Sequence, residues 1–140
     1  MKKGVIVYGS STGNTETVAE RIADNMNHDV ELIDVADAPV GAIKEADLVL
    51  FGCSTWGNGE LQDDFEEFID EFTPELLNGK DVAVFGCGDE ASYPDEFCAA
   101  TDIIRDKAIE VGANIVAENL RIDDDPDDHE DEIVAFAELF

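Results

Sequence analysis

Short apolar runs alternate along the chain with stretches in which apolar residues recur every three or four positions. Val5-Ile6-Val7-Tyr8, Val30-Glu31-Leu32-Ile33, Leu48-Val49-Leu50-Phe51, Val82-Ala83-Val84-Phe85 and Asn114-Ile115-Val116-Ala117 have the length and composition of strands. Three of them are continuous apolar runs, the pattern of strands covered on both faces. Between them Val18, Ile22 and Met26 repeat at i, i+4 and i+8. Phe65, Phe68, Ile69 and Phe72 repeat at i, i+3, i+4 and i+7, as do Ile133, Phe136, Ala137 and Phe140. Ala100, Ile103, Ile104 and Ala108 form another helical stripe, and residues 39–45 read as a short helix. Tyr8, inside the first strand, reads as core.

Strictly alternating β and α units predict an α/β fold: a parallel sheet with right-handed crossovers and helices on both faces. In such sheets ligands sit beyond the carboxyl ends of the strands, where the winding reverses. Residues 9–15, 54–62 and 86–97, which follow the first, third and fourth strands, are therefore expected to face one crevice. With 140 residues and 44% apolar content, residues 1–140 suit a single domain with a real core.

Composition narrows the function. Eight Lys+Arg stand against 35 Asp+Glu, a formal charge of −27. No basic surface can be assembled from that balance, which excludes nucleic acid as a direct partner. The first apolar run ends at Tyr8, too short for a signal-peptide core or a bilayer span, so no membrane insertion is expected. Cys53, Cys87 and Cys98 are odd in number and lack metal-ligand spacing, which argues against disulfides and zinc and for a reducing cytoplasm. His28 and His129 are isolated. The acidic stretch at residues 123–128 lacks the glycine and spacing of a calcium loop, so no metal is assigned.

The loop after the first strand, Gly9-Ser10-Ser11-Thr12-Gly13-Asn14-Thr15, offers four hydroxyls, two glycines and a run of amides entering a helix. That is an anion cradle: glycines let the backbone curl and the helix end supplies partial positive charge. It has neither the Gly-Lys-Ser/Thr ending of a nucleoside-triphosphate loop nor the GxGxxG of a dinucleotide site, so a phosphate monoester fits best. An ordinary turn and helix cap would account for one or two of these residues, not for four hydroxyls.

The second loop, Cys53-Ser54-Thr55-Trp56-Gly57-Asn58-Gly59, carries the only Trp. It is either a surface anchor or a stacking wall for a flat ligand. The third, Gly86-Cys87-Gly88-Asp89-Glu90-Ala91-Ser92-Tyr93-Pro94, adds the second of two tyrosines. A Trp, a Tyr and a phosphate cradle on neighbouring loops describe a pocket for a planar ring with a phosphorylated tail.

These three loops resemble those of short-chain flavodoxins, especially from sulfate-reducing bacteria. The similarity extends to Glu60-Leu61-Gln62-Asp63-Asp64-Phe65, Phe97-Cys98 and Leu120-Arg121-Ile122-Asp123. The resemblance implies a flavodoxin-like, five-stranded parallel sheet of order 2-1-3-4-5 and non-covalently bound flavin mononucleotide (FMN). Ser10, Ser11, Thr12, Gly13, Asn14 and Thr15 would hold its phosphate. Trp56 would cover one face of the ring and Tyr93 the other, and backbone groups of Cys87, Gly88, Asp89 and Cys98 would meet the pyrimidine edge. Ser54, Thr55, Gly57, Asn58 and Phe97 complete the implied set. Gly57 falls where the family places the flavin N5, and a glycine peptide there can turn its carbonyl toward N5–H at little cost.

The implied function is a low-potential one-electron carrier shuttling between oxidoreductases, with no substrate of its own. A dense carboxylate population disfavours the negative charge a second electron adds, and would steer basic-patched redox partners into transient complexes with a monomer. An FMN-dependent NAD(P)H quinone reductase is the alternative, but no second Gly-rich or basic loop is present to receive a nicotinamide. A phospho-receiver domain would need an aspartate ending the third strand, where Gly52-Cys53-Ser54 stands.

Overall fold

The computed structural model describes residues 4–9, 14–26, 30–37, 40–56, 60–61, 63–88, 99–123 and 129–140. Its strands are β1 (Gly4–Gly9), β2 (Val30–Asp34), β3 (Leu48–Trp56), β4 (Glu60–Leu61), β5 (Asp81–Gly88), β6 (Asn114–Ile115) and β7 (Leu120–Asp123). The helices are α1 (Asn14–Asn25), α2 (Val40–Glu45), α3 (Asp63–Phe68), α4 (Pro74–Leu77), α5 (Ala99–Glu110) and α6 (Glu130–Ala137). The sheet order is β2-β1-β3-β5-β6, with β7 also paired to β5. All of these pairings are parallel, and only the short β4 runs antiparallel, along the end of β3. With β6 and β7 counted as one broken strand and β4 set aside, this is the expected 2-1-3-4-5 winding.

Successive strand residues face opposite sides of the sheet, so each apolar run feeds two cores at once. Val5, Val7, Val49, Phe51, Val82 and Val84 pack with Ile43, Phe65, Leu76 and Ile104 on one face. Ile6, Leu50, Ala83 and Phe85 pack with Val18, Ile22, Ile133 and Phe136 on the other. Phe51 anchors the first face, its ring centroid 4.8 Å from that of Phe72 and 6.0 Å from that of Phe65.

The structure departs from the sequence reading at definite points. The fifth strand is split: Asn114 and Ile115 pair with Asp81 and Val82, and Leu120 to Asp123 pair with Phe85 to Gly88. Four residues, 116–119, thus stand opposite Ala83 and Val84, and Val116 is 45% exposed. The detour leaves a groove of about 570 Å³ bordered by Arg105, Val116, Glu118, Asn119 and Arg121. Two of these residues are tied to α5, Asp102 Oδ1 accepting from Arg121 at 2.7 Å and from Asn119 Nδ2 at 3.1 Å. Ile103 is 41% exposed rather than core, because adjacent helical residues point about 100° apart and Ile104 takes the buried position. The short helix α4 was not anticipated, although Thr73 caps it and Pro74 opens it.

Lys80 fastens the base of the sheet to α2. Its ammonium donates to the carbonyls of Lys44 at 3.1 Å and Ala46 at 2.6 Å, at the helix end where carbonyls lack intrahelical donors. Lys80→Ala is expected to cost about 1 kcal/mol, a net charge-assisted bond discounted for exposure. Urea unfolding checks this, and an unchanged midpoint would show the contact to be dispensable.

Candidate functional site

Parallel register decides where the strands end. Tyr8 of β1 lies beside Asp34 and Gly52, Gly9 beside Cys53, Ser54 beside Cys87, and Gly88 beside Asp123. The carboxyl ends of β1, β3, β5 and β7 therefore form one edge, from which residues 10–13, 57–59 and 89–98 depart. Ser54, Thr55 and Trp56 are the last residues of β3 rather than loop, and Thr55 and Trp56 pair with Leu61 and Glu60. Cys87 and Gly88 likewise end β5. Thr and Trp favour strands, and pairing with neighbouring strands carries even Gly88 into the ladder. Ser10, Ser11, Thr12, Gly13, Gly57, Asn58, Asp89, Tyr93, Phe97 and Cys98 lie outside the described residues.

Helix α1 begins at Asn14, directly behind the end of β1, and its apolar stripe of Val18, Ala19 and Ile22 is fully buried. This packing fixes the helix axis, so its first-turn amides, which have no intrahelical acceptor, face the strand-end edge. Thr15 is fully buried there. Backbone amides and the Thr15 hydroxyl at a helix start have the donor chemistry that suits a phosphate monoester.

Two close approaches shape the same edge. A Cβ on Gly52 would stand 2.3 Å from the Phe85 ring, and one on Gly86 2.4 Å from the Cys53 carbonyl oxygen. The Gly86 Cβ would also meet Thr101 Cγ2 at 2.6 Å, so a fully buried threonine of α5 sits against the end of β5.

Tyr8 is half-buried rather than core. Burial, then the nearby carboxylates of Glu16, Asp34 and Glu20, raise its pKa above the ordinary tyrosine value. The raised value means the folded state holds the proton more tightly. The stabilisation is complete below pH 10 and is lost as pH rises through the raised value.

The sequence model of the flavodoxin family matches residues 6–136. The chain belongs to the flavodoxin family. It is 48% identical over 143 aligned residues to a flavodoxin of Maridesulfovibrio salexigens, covering 97% of this chain and 94% of that protein. A flavodoxin of Nitratidesulfovibrio vulgaris is 43% identical, covering 98% and 95%. Among solved structures, oxidised flavodoxin 1 of Bacillus cereus superposes with a TM-score of 0.87 at 36% identity, covering 96% of this chain and 94% of that one. Flavodoxins are FMN-binding electron-transfer proteins and not enzymes, and so is this chain. An electron carrier works between redox partners. Among the described residues no helix is long and apolar enough to cross a membrane.

Proposed function

We propose that residues 1–140 form one unit in which three strand ends hold FMN, with Ser10–Thr15 as its phosphate cradle. The shared edge made by β1, β3 and β5, with α1 starting behind it, is the observation that carries this reading. Trp56 and Tyr93 would flank the ring, with Ser54, Thr55, Asn58 and Phe97 around it. The peptides of Cys87, Gly88, Asp89 and Cys98 would meet its pyrimidine edge, and the Gly57 carbonyl would accept a hydrogen bond from N5–H. Bound FMN supplies reversible one-electron chemistry. The chain's part is to orient the ring, to hold the proton at N5 and to oppose added negative charge.

Exposed carboxylates of Glu66, Glu67, Asp70 and Glu71 follow the β3–β4 segment on α3 and the turn after it. A carboxylate ~10 Å from a newly reduced ring costs about 0.4 kcal/mol in water, or ~20 mV for a one-electron couple. These same groups would receive the basic patch of a transient oxidoreductase partner, with the carrier a cytoplasmic monomer.

The test is a spectroelectrochemical titration of the purified protein at 10 mM and 1 M salt. A yellow protein reduced in two separate one-electron steps is expected. The second midpoint should become less negative by about 60 mV at high salt, as screening removes three or four such repulsions. A colourless protein that takes up no FMN would overturn the cofactor site, and a salt-insensitive midpoint the electrostatic part.

A further inference from the structure

The chain holds three arginines, Arg21, Arg105 and Arg121, and two of them border the groove beside the middle of β5. Arg21 pairs with Glu130 at 2.9 Å and Arg121 with Asp102 at 2.7 Å. Arg105 is exposed and, in a chain with 35 Asp+Glu, has no ion pair among the described residues. Ile115, Val116 and Ala117 line the same groove, and Val116 is 45% exposed. We infer that this groove is a binding site for an organic monocarboxylate with an apolar body, its carboxylate seated on Arg105 and Arg121 and its body on residues 115–117.

The split strand builds the site. Val116 N still donates to Val82 O at 3.1 Å, so the detour from the sheet begins beyond it, and pairing resumes where Leu120 meets Phe85. Asp102 and Arg105 stand three apart on α5 and therefore share a helix face. The bond from Arg121 to Asp102 brings the second guanidinium to that face and leaves its other donors available. The volume of about 570 Å³ is that of a small-molecule site rather than of a single ion. It opens beside Ala83 and Val84, below the strand ends proposed to hold FMN, so the two readings stand or fall separately.

The lining selects the ligand. A guanidinium presents parallel donors that match the two oxygens of a carboxylate. A phosphate group offers the same match but carries more than one negative charge near neutral pH. Glu118 also borders the groove, and with the formal charge of −27 it penalises every further negative charge, which favours a single one. An inorganic anion would leave Ile115, Val116 and Ala117 facing water, whereas an apolar body covers them. A neutral apolar ligand would leave Arg105 without a counter-ion.

The test is a titration of the full-length protein as purified, followed by amide NMR shifts, with hexanoate as the probe. Hexanoate raised to ~20 mM, a range that covers millimolar dissociation constants, should give saturable shifts centred on Arg105 and residues 115–121. 1-Hexanol has the same body without the charge, and inorganic phosphate has charge without the body. Each should bind at least about tenfold more weakly. Arg105→Gln, a change at an exposed position, should weaken hexanoate about tenfold without disturbing the fold. Val116→Asp, also exposed, should abolish saturable binding by placing a like charge on the apolar wall. The site would be overturned by the absence of saturable shifts, or by shifts centred elsewhere. It would equally be overturned if hexanol or phosphate bound as tightly as hexanoate, or if Arg105→Gln left the affinity unchanged.

Discussion

Alanine at Gly86 is expected to destabilise the protein by about 3 kcal/mol and to lower its melting temperature by roughly 10 °C. The added methyl would lie 2.4 Å from the Cys53 carbonyl oxygen and 2.6 Å from Thr101 Cγ2. The carbonyl belongs to the central strand, which is paired on both sides, so it cannot withdraw without disturbing β1 or β5. Thr101 is fully buried and cannot swing into solvent. Overpacking of a core usually costs about 1–3 kcal/mol, and a rigid obstacle places this site at the upper end. Gly52 makes a useful contrast. The three atoms nearest its Cβ all belong to the Phe85 ring, from 2.3 Å, and a ring can tilt where a strand cannot, so Gly52→Ala should cost about 1 kcal/mol less. Gly86 immediately precedes Cys87, so FMN release should accompany the loss of stability. Thermal unfolding of the holoprotein checks this, and an unchanged melting temperature would contradict the tight approach of β3 and β5.

Gly86 was legible in the sequence as the first residue of a ligand-edge segment and Gly52 only as a neighbour of one, but neither was legible as a packing constraint. Their significance lies in the partner strand, and register is not encoded in a single run. The doubly covered strands were legible because Val5-Ile6-Val7 and Leu48-Val49-Leu50-Phe51 leave no polar face. The same logic misplaced Tyr8. It shares a face with Ile6 but sits one step from the strand end, where helix carboxylates replace apolar neighbours.

The fifth strand failed for a different reason. Asn114-Ile115-Val116-Ala117 is an acceptable apolar run, yet β5 is paired along its upper half by Leu120-Arg121-Ile122-Asp123. In that segment Leu120 and Ile122 are buried and Arg121 is exposed, a period-two signal present in the sequence. The helix α4 was signalled too, by Thr73-Pro74 ahead of Leu76 and Leu77. That the ends of β1, β3 and β5 share one edge followed from strand alternation alone.

FMN is expected to bind about a thousandfold more tightly than riboflavin, despite the formal charge of −27. The total charge favours the opposite outcome, so the argument turns on distance. A carboxylate ~15 Å from the phosphate repels a unit charge by about 0.3 kcal/mol in water, and a Debye length of ~8 Å removes most of that. Each hydrogen bond to a charged group contributes roughly 1.5–3 kcal/mol. Three such bonds at the low end give ~4.5 kcal/mol, enough for about a thousandfold preference. The cradle sequence offers more donors than three: the hydroxyls of Ser10, Ser11, Thr12 and Thr15 and the amides opening α1. The preference should therefore rise only about twofold between 10 mM and 1 M salt, since screening removes a small sum of distant repulsions and leaves the bonds intact. Competition titrations of FMN against riboflavin at the two salt concentrations measure both quantities. A preference below tenfold, or one that climbs steeply with salt, would mean that the field of the whole protein outweighs the donors of a single loop.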